Sequence, residues 1–104
     1  MIRHIVLARF RANVGETARA QVFASLSALK AVVPGMIGFD AGANVSPEKL
    51  ARGYNNGFVV DFIDGAARDA YLVHPAHKAA GAALVALTEG GVDGLIVLDL
   101  EIAD

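Results

Sequence analysis

The segment Tyr71-Leu72-Val73-His74-Pro75-Ala76-His77-Lys78 holds two of the three histidines and one of the two tyrosines of the chain. Asp64 is a good helix N-cap, so a short helix is predicted over residues 65–73. Pro75 disfavours the helical conformation at His74, but proline suits the first position of a new helix. The segment therefore predicts two consecutive helices with a break at His74.

His77 falls in the first turn of the second predicted helix, where unpaired N–H groups and the helix dipole disfavour the imidazolium form. We expect His77 to be neutral at pH 7 and able to accept a proton or to polarise an oxygen. Two interpretations remain open. In the first, Tyr71 and His77 belong to a functional pocket. In the second, His74 and His77 only join the two helices by hydrogen bonds.

The composition is more apolar than a small monomer needs. The chain has 104 residues, 55% of them hydrophobic and 19% charged, which predicts a single domain over residues 1–104. No apolar run approaches the ~20 residues of a membrane span, and the apolar start is too short for a signal peptide and has no small-residue cleavage site. Oligomerisation is the better explanation for the excess of apolar residues.

Charge and cysteine content exclude several classes of function. The net charge is −2 and the basic residues are scattered, so no nucleic-acid partner is expected. The absence of cysteine excludes disulfides, thiolate metal sites and cysteine nucleophiles. No motif indicates haem, flavin or another cofactor. A cytoplasmic location fits these features.

The periodicity of the chain predicts a strand, a helix, two strands, a helix pair and a last strand, over residues 2–10, 16–33, 36–45, 54–63, 65–89 and 92–102. This order is the split βαβ pattern of an α+β, ferredoxin-like fold. It gives a four-stranded antiparallel sheet with helices on one face. The first, third and last strands are apolar on both faces, although the helices cover only one face. The uncovered face therefore predicts a homodimer formed sheet against sheet.

Four separated motifs resemble the stress-responsive dimeric α/β-barrel (Dabb) family. They are Met1-Ile2-Arg3-His4-Ile5-Val6-Leu7, Pro34-Gly35, Arg52-Gly53-Tyr54 and Ala70-Tyr71-Leu72-Val73-His74-Pro75-Ala76-His77, at matching spacing over nearly the whole chain. The resemblance implies a ferredoxin-like protomer whose sheet packs against that of a second copy to form a dimeric α/β barrel. This agrees with the homodimer inferred from the strands alone.

The family includes a plant polyketide cyclase that closes a linear polyketide by an aldol step without a cofactor. Its histidine and tyrosine near the helix pair correspond to His77 and Tyr71 here, and its first-strand histidine corresponds to His4. The resemblance therefore implies His77, Tyr71 and His4 as catalytic residues. In the third strand, where the cyclase carries a histidine, this sequence has Asn56.

The strand faces predict an apolar pocket between the sheet and the helices, with a few polar groups pointing into it. Such a pocket is the usual form of a small-molecule site. The expected substrate-binding residues are Asn56, Phe58, Val60, Phe23, Leu26, His74 and Leu84. The simpler interpretation is that the apolar members are ordinary core and that His4 bonds to a neighbouring backbone group or to Tyr71.

Three functional hypotheses follow. In a cofactor-independent enzyme, His77 removes a proton next to a carbonyl and Tyr71 donates a hydrogen bond to the enolate oxygen, while His4 or Asn56 orients the substrate. In a non-catalytic, stress-associated dimer, the same pocket only holds a hydrophobic ligand. A metal site formed by His4, His74 and His77 is the weakest hypothesis, because their spacing across a proline is poor, and no metal is predicted.

Overall fold

The structure is a computed structural model that describes residues 1–103. Its strands are β1 (Ile2–Ala8), β2 (Met36–Ala43), β3 (Asn56–Phe62) and β4 (Leu95–Glu101). Its α-helices are α1 (Glu16–Ser27), α2 (Gly65–Val73) and α3 (Pro75–Leu87), and short 3₁₀ helices span Ala28–Ala31 and Gly91–Gly94.

The four strands form one antiparallel sheet in the order β2-β3-β1-β4. This order and the positions of the helices confirm the predicted ferredoxin-like fold. Alternation along the strands sends one set of side chains toward the helices. On β1 and β3 this set is buried: His4, Val6 and Ala8 with Phe58, Val60 and Phe62.

Several predicted boundaries were wrong by a few residues. The first helix does not stay α-helical to Val33 but changes to a 3₁₀ helix after Ser27. Leu29 in this 3₁₀ helix and Val33 after it are both buried. The second strand ends at Ala43, because the Asn44 side chain accepts a hydrogen bond from the Ser46 N–H and turns the chain.

The other boundary corrections lie at the ends of the last helix and of three strands, β1, β3 and β4. The helix α3 stops at Leu87 rather than at residue 89, β4 begins only after a 3₁₀ turn, and β3 is shorter than predicted at both ends. β1 stops at Ala8, although Phe10 still forms an isolated bridge with Thr88.

The helix pair was predicted correctly. The Asp64 carboxylate accepts a hydrogen bond from the Ala67 N–H at 2.9 Å, which caps α2. His74 has extended backbone angles, φ −68° and ψ 132°, and Pro75 opens α3. The break at His74 therefore has the cause expected from the sequence, the conformational restriction before proline.

The open face of the sheet is apolar, as expected. Leu7, Ile96, Leu98 and Leu100 point away from the helices and are 37%, 39%, 44% and 44% exposed. They form a surface that the helices of the same chain do not reach. Within residues 1–103, no helix is long and apolar enough to cross a membrane, and the cytoplasmic location stays a prediction.

Gly35 gives a test of how tightly the turn before β2 packs against α2. Its φ is +86°, and an added Cβ would lie 2.6 Å from the Cβ of Ala67. Gly35→Ala should therefore lower the free energy of unfolding by about 1–2 kcal/mol or more. Gly81→Ala is the matched control, because a Cβ there meets no heavy atom within 4 Å. This helical change should raise the stability by about 0.5–1 kcal/mol. Urea denaturation of both variants measures the difference, and wild-type stability of Gly35→Ala would contradict the packing described.

Candidate functional site

Four rings meet under the break between α2 and α3. Tyr71 lies with its ring centroid 4.2 Å from that of His77, 5.0 Å from Phe62 and 5.8 Å from His4. The break positions His77, α2 positions Tyr71, and β1 and β3 supply the other two rings. We call His4, Tyr71 and His77 the Tyr71 cluster. The structure thus brings together the three residues that the resemblance implied.

The phenol of Tyr71 is buried and has no hydrogen-bond partner among residues 1–103. The residue has 0% exposure, and no group within residues 1–103 forms a hydrogen bond with its hydroxyl. Leaving such a group unpaired costs about 1–3 kcal/mol. Burial also raises the pKa of Tyr71 to about 12. The hydroxyl is therefore protonated at neutral pH and available as a hydrogen-bond donor.

His77 is half-buried and joins the cluster to the protein surface. Its Nδ1 lies 3.3 Å from the carbonyl oxygen of Leu72. A carbonyl can only accept, so this contact places the proton on Nδ1 and leaves Nε2 as the basic nitrogen. Burial lowers the pKa of His77, and charge on His4 and His74 lowers it further, while the Leu72 hydrogen bond opposes both. The lowered pKa of His77 agrees with the expected neutral imidazole, but its main cause is burial rather than the helix dipole.

His4 is buried and paired with a residue that the sequence analysis did not assign to the site. Its Nδ1 lies 2.7 Å from Oδ1 of Asp99, the residue opposite it on β4. The other carboxylate oxygen, Oδ2, accepts a hydrogen bond from Arg68 Nη1 at 2.7 Å. Burial alone would raise the pKa of Asp99, but hydrogen bonds from Arg68 and His4 outweigh it and lower the pKa. Asp99 is therefore ionised at neutral pH and accepts a hydrogen bond from the Nδ1–H of His4.

His74 caps the helix that begins after it. Its Nδ1 accepts a hydrogen bond from the Ala76 N–H at 3.0 Å. This contact matches the interpretation in which His74 joins the helices, and its role in substrate binding stays a prediction. Within residues 1–103, no group of three or more histidine, aspartate or glutamate side chains is arranged to hold a metal ion.

Asn56 is not near His4, although the two residues lie on the same face of the sheet. His4 pairs with Val60, whereas Asn56 pairs with Ala8. Four residues along a strand correspond to about 13 Å. The residues predicted to line one pocket therefore fall in two regions of this face, and the buried pair Val6 and Phe58 lies between these regions.

A second group of rings lies at the Asn56 end of the sheet. Phe23 contacts Phe10 and Phe58 at centroid distances of 5.9 and 6.0 Å, and Phe39 stacks on Phe58 at 5.4 Å. The other expected wall residues, Leu26 and Leu84, belong to the buried core. These apolar residues pack as core, and their contact with a substrate stays a prediction.

The main clefts of the protomer do not open onto the Tyr71 cluster. Clefts of about 390 and 350 Å³ flank Asn56, and one of about 520 Å³ lies between α1 and α3. None of these three is lined by His4, Tyr71 or His77. The hollow expected beside Tyr71 and His77 is therefore not one of these clefts, and a ligand there would need side chains to move.

Asp99 could have been found from the sequence, whereas Arg68 could not. The predicted alternation of the last strand puts Asp99 on the same face as Leu95 and Val97, and an aspartate there can reach an adjacent strand. That it faces His4 depends on the register between β1 and β4. Arg68 reaches Asp99 only through the packing of α2 on the sheet, which no local pattern encodes.

The fold and site define a ferredoxin-like protomer with a buried tyrosine between two histidines. The sequence model of the "Stress responsive A/B Barrel Domain" (Dabb) matches residues 2–102. The chain therefore belongs to the Dabb family, as the four motifs indicated.

Relatives agree with this assignment. The stress-response A/B barrel domain-containing protein HS1 of Arabidopsis thaliana is 28% identical over 98 residues, which are 94% of this chain and 86% of HS1. A dimeric ferredoxin-like protein of unknown function from Jannaschia sp. CCS1 is 38% identical, with a TM-score of 0.86 over 97% of this chain and 98% of that one. Hydroxynitrile lyase from Passiflora edulis has the same fold, with a TM-score of 0.85 at 21% identity over 99% and 94% of the two chains.

The His74 cap predicts a specific loss of stability. His74→Ala removes the acceptor for the Ala76 N–H and should lower the free energy of unfolding by about 1 kcal/mol. His74→Asn keeps a capping oxygen and should restore most of that loss. Thermal or urea denaturation compares the two variants. Equal stability of His74→Ala and His74→Asn would show that the hydrogen bond does not stabilise α3.

The buried phenol predicts an alkaline loss of stability. Tyr71 ionises near its ordinary pKa of about 10 in the unfolded chain, but near 12 in the folded protein. Between these values the unfolded chain binds fewer protons, so stability falls as the pH rises. The loss from this residue should be about 1 kcal/mol between pH 9 and 11.

Tyr71→Phe should remove this part of the pH dependence. It should also leave stability at pH 7 unchanged or higher, because the lost hydroxyl has no hydrogen-bond partner in the part of the chain that the structure describes. Urea denaturation of both proteins at pH 7, 9 and 11 measures the effect. A Tyr71→Phe variant that is strongly destabilised at pH 7 would mean that the hydroxyl has a partner in solution.

Proposed function

We propose that this protein is a homodimer that binds a small apolar carbonyl compound at the Tyr71 cluster and removes a proton from it without a cofactor. The observation that carries the proposal is the Tyr71 hydroxyl. It is fully buried, protonated and unpaired within the described chain, and it lies beside a basic imidazole. A substrate oxygen would supply the missing acceptor.

The dimer would form through the open face of the sheet. Leu7, Ile96, Leu98 and Leu100 give this face an apolar surface that a monomer would leave in water. The relative from Jannaschia is described as dimeric at 38% identity over nearly all of both chains. A twofold axis would pair the same face of both copies and cover these residues together.

The proposed step uses only side chains of the cluster. Nε2 of His77 takes a proton from the carbon next to the carbonyl, and the C–H electron pair forms the carbon–carbon double bond of an enolate. The carbonyl π electrons move to oxygen, where the Tyr71 O–H donates a hydrogen bond. The enolate then takes back a proton or attacks a second carbonyl, so aldol, cyclase and lyase reactions share this first step.

The fold allows such chemistry without defining it. A hydroxynitrile lyase from Passiflora edulis has this fold, so a protomer of this shape can carry an enzyme. At 21% identity this likeness supports the fold alone, and the chemistry proposed for this chain rests on its own residues. A carbonyl compound fits this site because its oxygen can accept a hydrogen bond from Tyr71 while its α-proton faces the neutral imidazole of His77.

A non-catalytic binding dimer is the second proposal. It is favoured by the close packing around the phenol, since Tyr71, Phe62 and Val60 each have 0% exposure. A site that must open before it admits a ligand suits slow, tight binding better than rapid turnover. In that case His77 contributes a hydrogen bond but no proton transfer.

Proton abstraction can be tested without knowledge of the complete reaction. The protein in D₂O is incubated with a panel of alkyl and aryl methyl ketones, and ¹H NMR follows the loss of their α-protons. The expected result is exchange that exceeds the buffer rate. His77→Gln should lower this rate by about 10²–10⁴-fold, and Tyr71→Phe by about 10²–10³-fold.

The pH profile and a surface variant serve as controls. The rate should fall with acid as His77 becomes protonated, at a midpoint below its ordinary pKa because burial lowers that pKa. Asp69→Asn removes an exposed carboxylate outside the Tyr71 cluster, together with its contact with Arg68, and should keep the wild-type rate. Ketone binding seen by NMR without exchange would favour the binding dimer, and exchange unaffected by both site variants would exclude the mechanism.

A further inference from the structure

Arg68, Asp99 and His4 form a series of hydrogen bonds that begins at the surface with Arg68 and ends in the core with His4. The side chain of Arg68 is 26% exposed, that of Asp99 is 25% exposed, and that of His4 is 6% exposed. The Nη1 atom of Arg68 contacts Oδ2 of Asp99, and Oδ1 of Asp99 contacts Nδ1 of His4, both at 2.7 Å. The series of hydrogen bonds therefore connects α2, through Asp99 on β4, to the buried face of β1.

Each carboxylate oxygen of Asp99 has one partner. Arg68 occupies Oδ2, so the carboxylate can present only Oδ1 to His4 in this orientation. Asp99 lies on an edge strand whose other residues are half-buried or exposed. Without Arg68, the contact with His4 would be the one side-chain hydrogen bond left to this carboxylate within residues 1–103.

The orientation of the Asp99 carboxylate affects the Tyr71 cluster because its partner His4 is a neighbour of the phenol. An aspartate that accepts from Nδ1–H holds the imidazole in one tautomer, with Nε2 unprotonated. Where the carboxylate of such a pair is replaced by an amide, the wrong tautomer is favoured although the geometry is kept. Free histidine side chains favour the opposite tautomer, with the proton on Nε2.

We propose that Arg68 is a positioning residue that, by fixing the Asp99 carboxylate, holds buried His4 in the Nδ1–H tautomer and so keeps Nε2 of His4 available as an acceptor in the Tyr71 cluster. The effect of this tautomer on catalysis rests on the proposed function. The tautomer itself needs neither a ligand nor an activity, so the two ideas can fail separately.

The alternative is an ordinary surface ion pair. Exposed ion pairs contribute little to stability, and Arg68 also contacts Asp69 on its own helix at 2.9 Å. If its only role is to pair with nearby acids, loss of either contact should leave His4 unchanged. The two contacts of one guanidinium therefore provide a matched comparison.

Long-range ¹H–¹⁵N correlation spectra of the imidazoles test the proposal. The chain has three histidines, so His74→Asn and His77→Gln assign their signals by elimination. In the wild-type protein, at a pH where His4 is neutral, its Nδ1 should show the shift of a protonated nitrogen and its Nε2 that of an unprotonated one. A wild-type His4 with its proton on Nε2 overturns the proposal without any variant.

The variants separate positioning from simple pairing. Arg68→Gln should convert His4 to a mixture of tautomers, and Arg68→Lys should recover much of the wild-type signal. Asp99→Asn should move the proton to Nε2, whereas Asp69→Asn should change nothing. In the ketone assay, Arg68→Gln should lower the maximal exchange rate more than it changes the half-saturating concentration. An Arg68→Gln protein with the wild-type tautomer would reduce Arg68 to a surface ion pair.

Discussion

The restriction that Pro75 imposes on His74 determines the geometry of the Tyr71 cluster. In a continuous α-helix, residues six apart are separated by about 9 Å along the axis and by about 120° around it. Tyr71 and His77 would then point to different sides. The extended backbone at His74 ends one helix and starts another, and it brings the two ring centroids to 4.2 Å. A local steric rule thus creates a contact that a single helix could not make.

The three histidines differ because each Nδ1 has a different partner. In His74 it accepts from a backbone N–H, in His77 it faces a carbonyl, and in His4 it faces a carboxylate. The first contact requires an unprotonated Nδ1, whereas the other two require a protonated one. His74 therefore has its proton on Nε2, whereas His77 and His4 have theirs on Nδ1. Only His4 and His77 are left with a basic Nε2 near the phenol.

The sequence predicted what is local and missed what depends on register. Asp64 and Pro75 act within a few residues, and the alternation of β1 and β3 has a period of two, so the helix pair and the buried faces were correct. The separation of Asn56 from His4 was missed, because a shared face says nothing about distance along a strand. The role of Asp99 depends on its pairing opposite His4, and the unpaired hydroxyl of Tyr71 depends on packing in three dimensions.

The exposure of β4 bears on how two copies would meet. Its open-face residues Leu98 and Leu100 are each 44% exposed, but Val97, which points to the helix side, is 55% exposed. Two flat sheets packed face to face would cover only the first set. Closing the two sheets into a barrel also removes the free edge, so the partner's strands would lie beside β4 rather than only beneath it. A barrel therefore accounts for the apolar residues on both faces of this edge strand, and it would bring the partner close to the strand that carries Asp99.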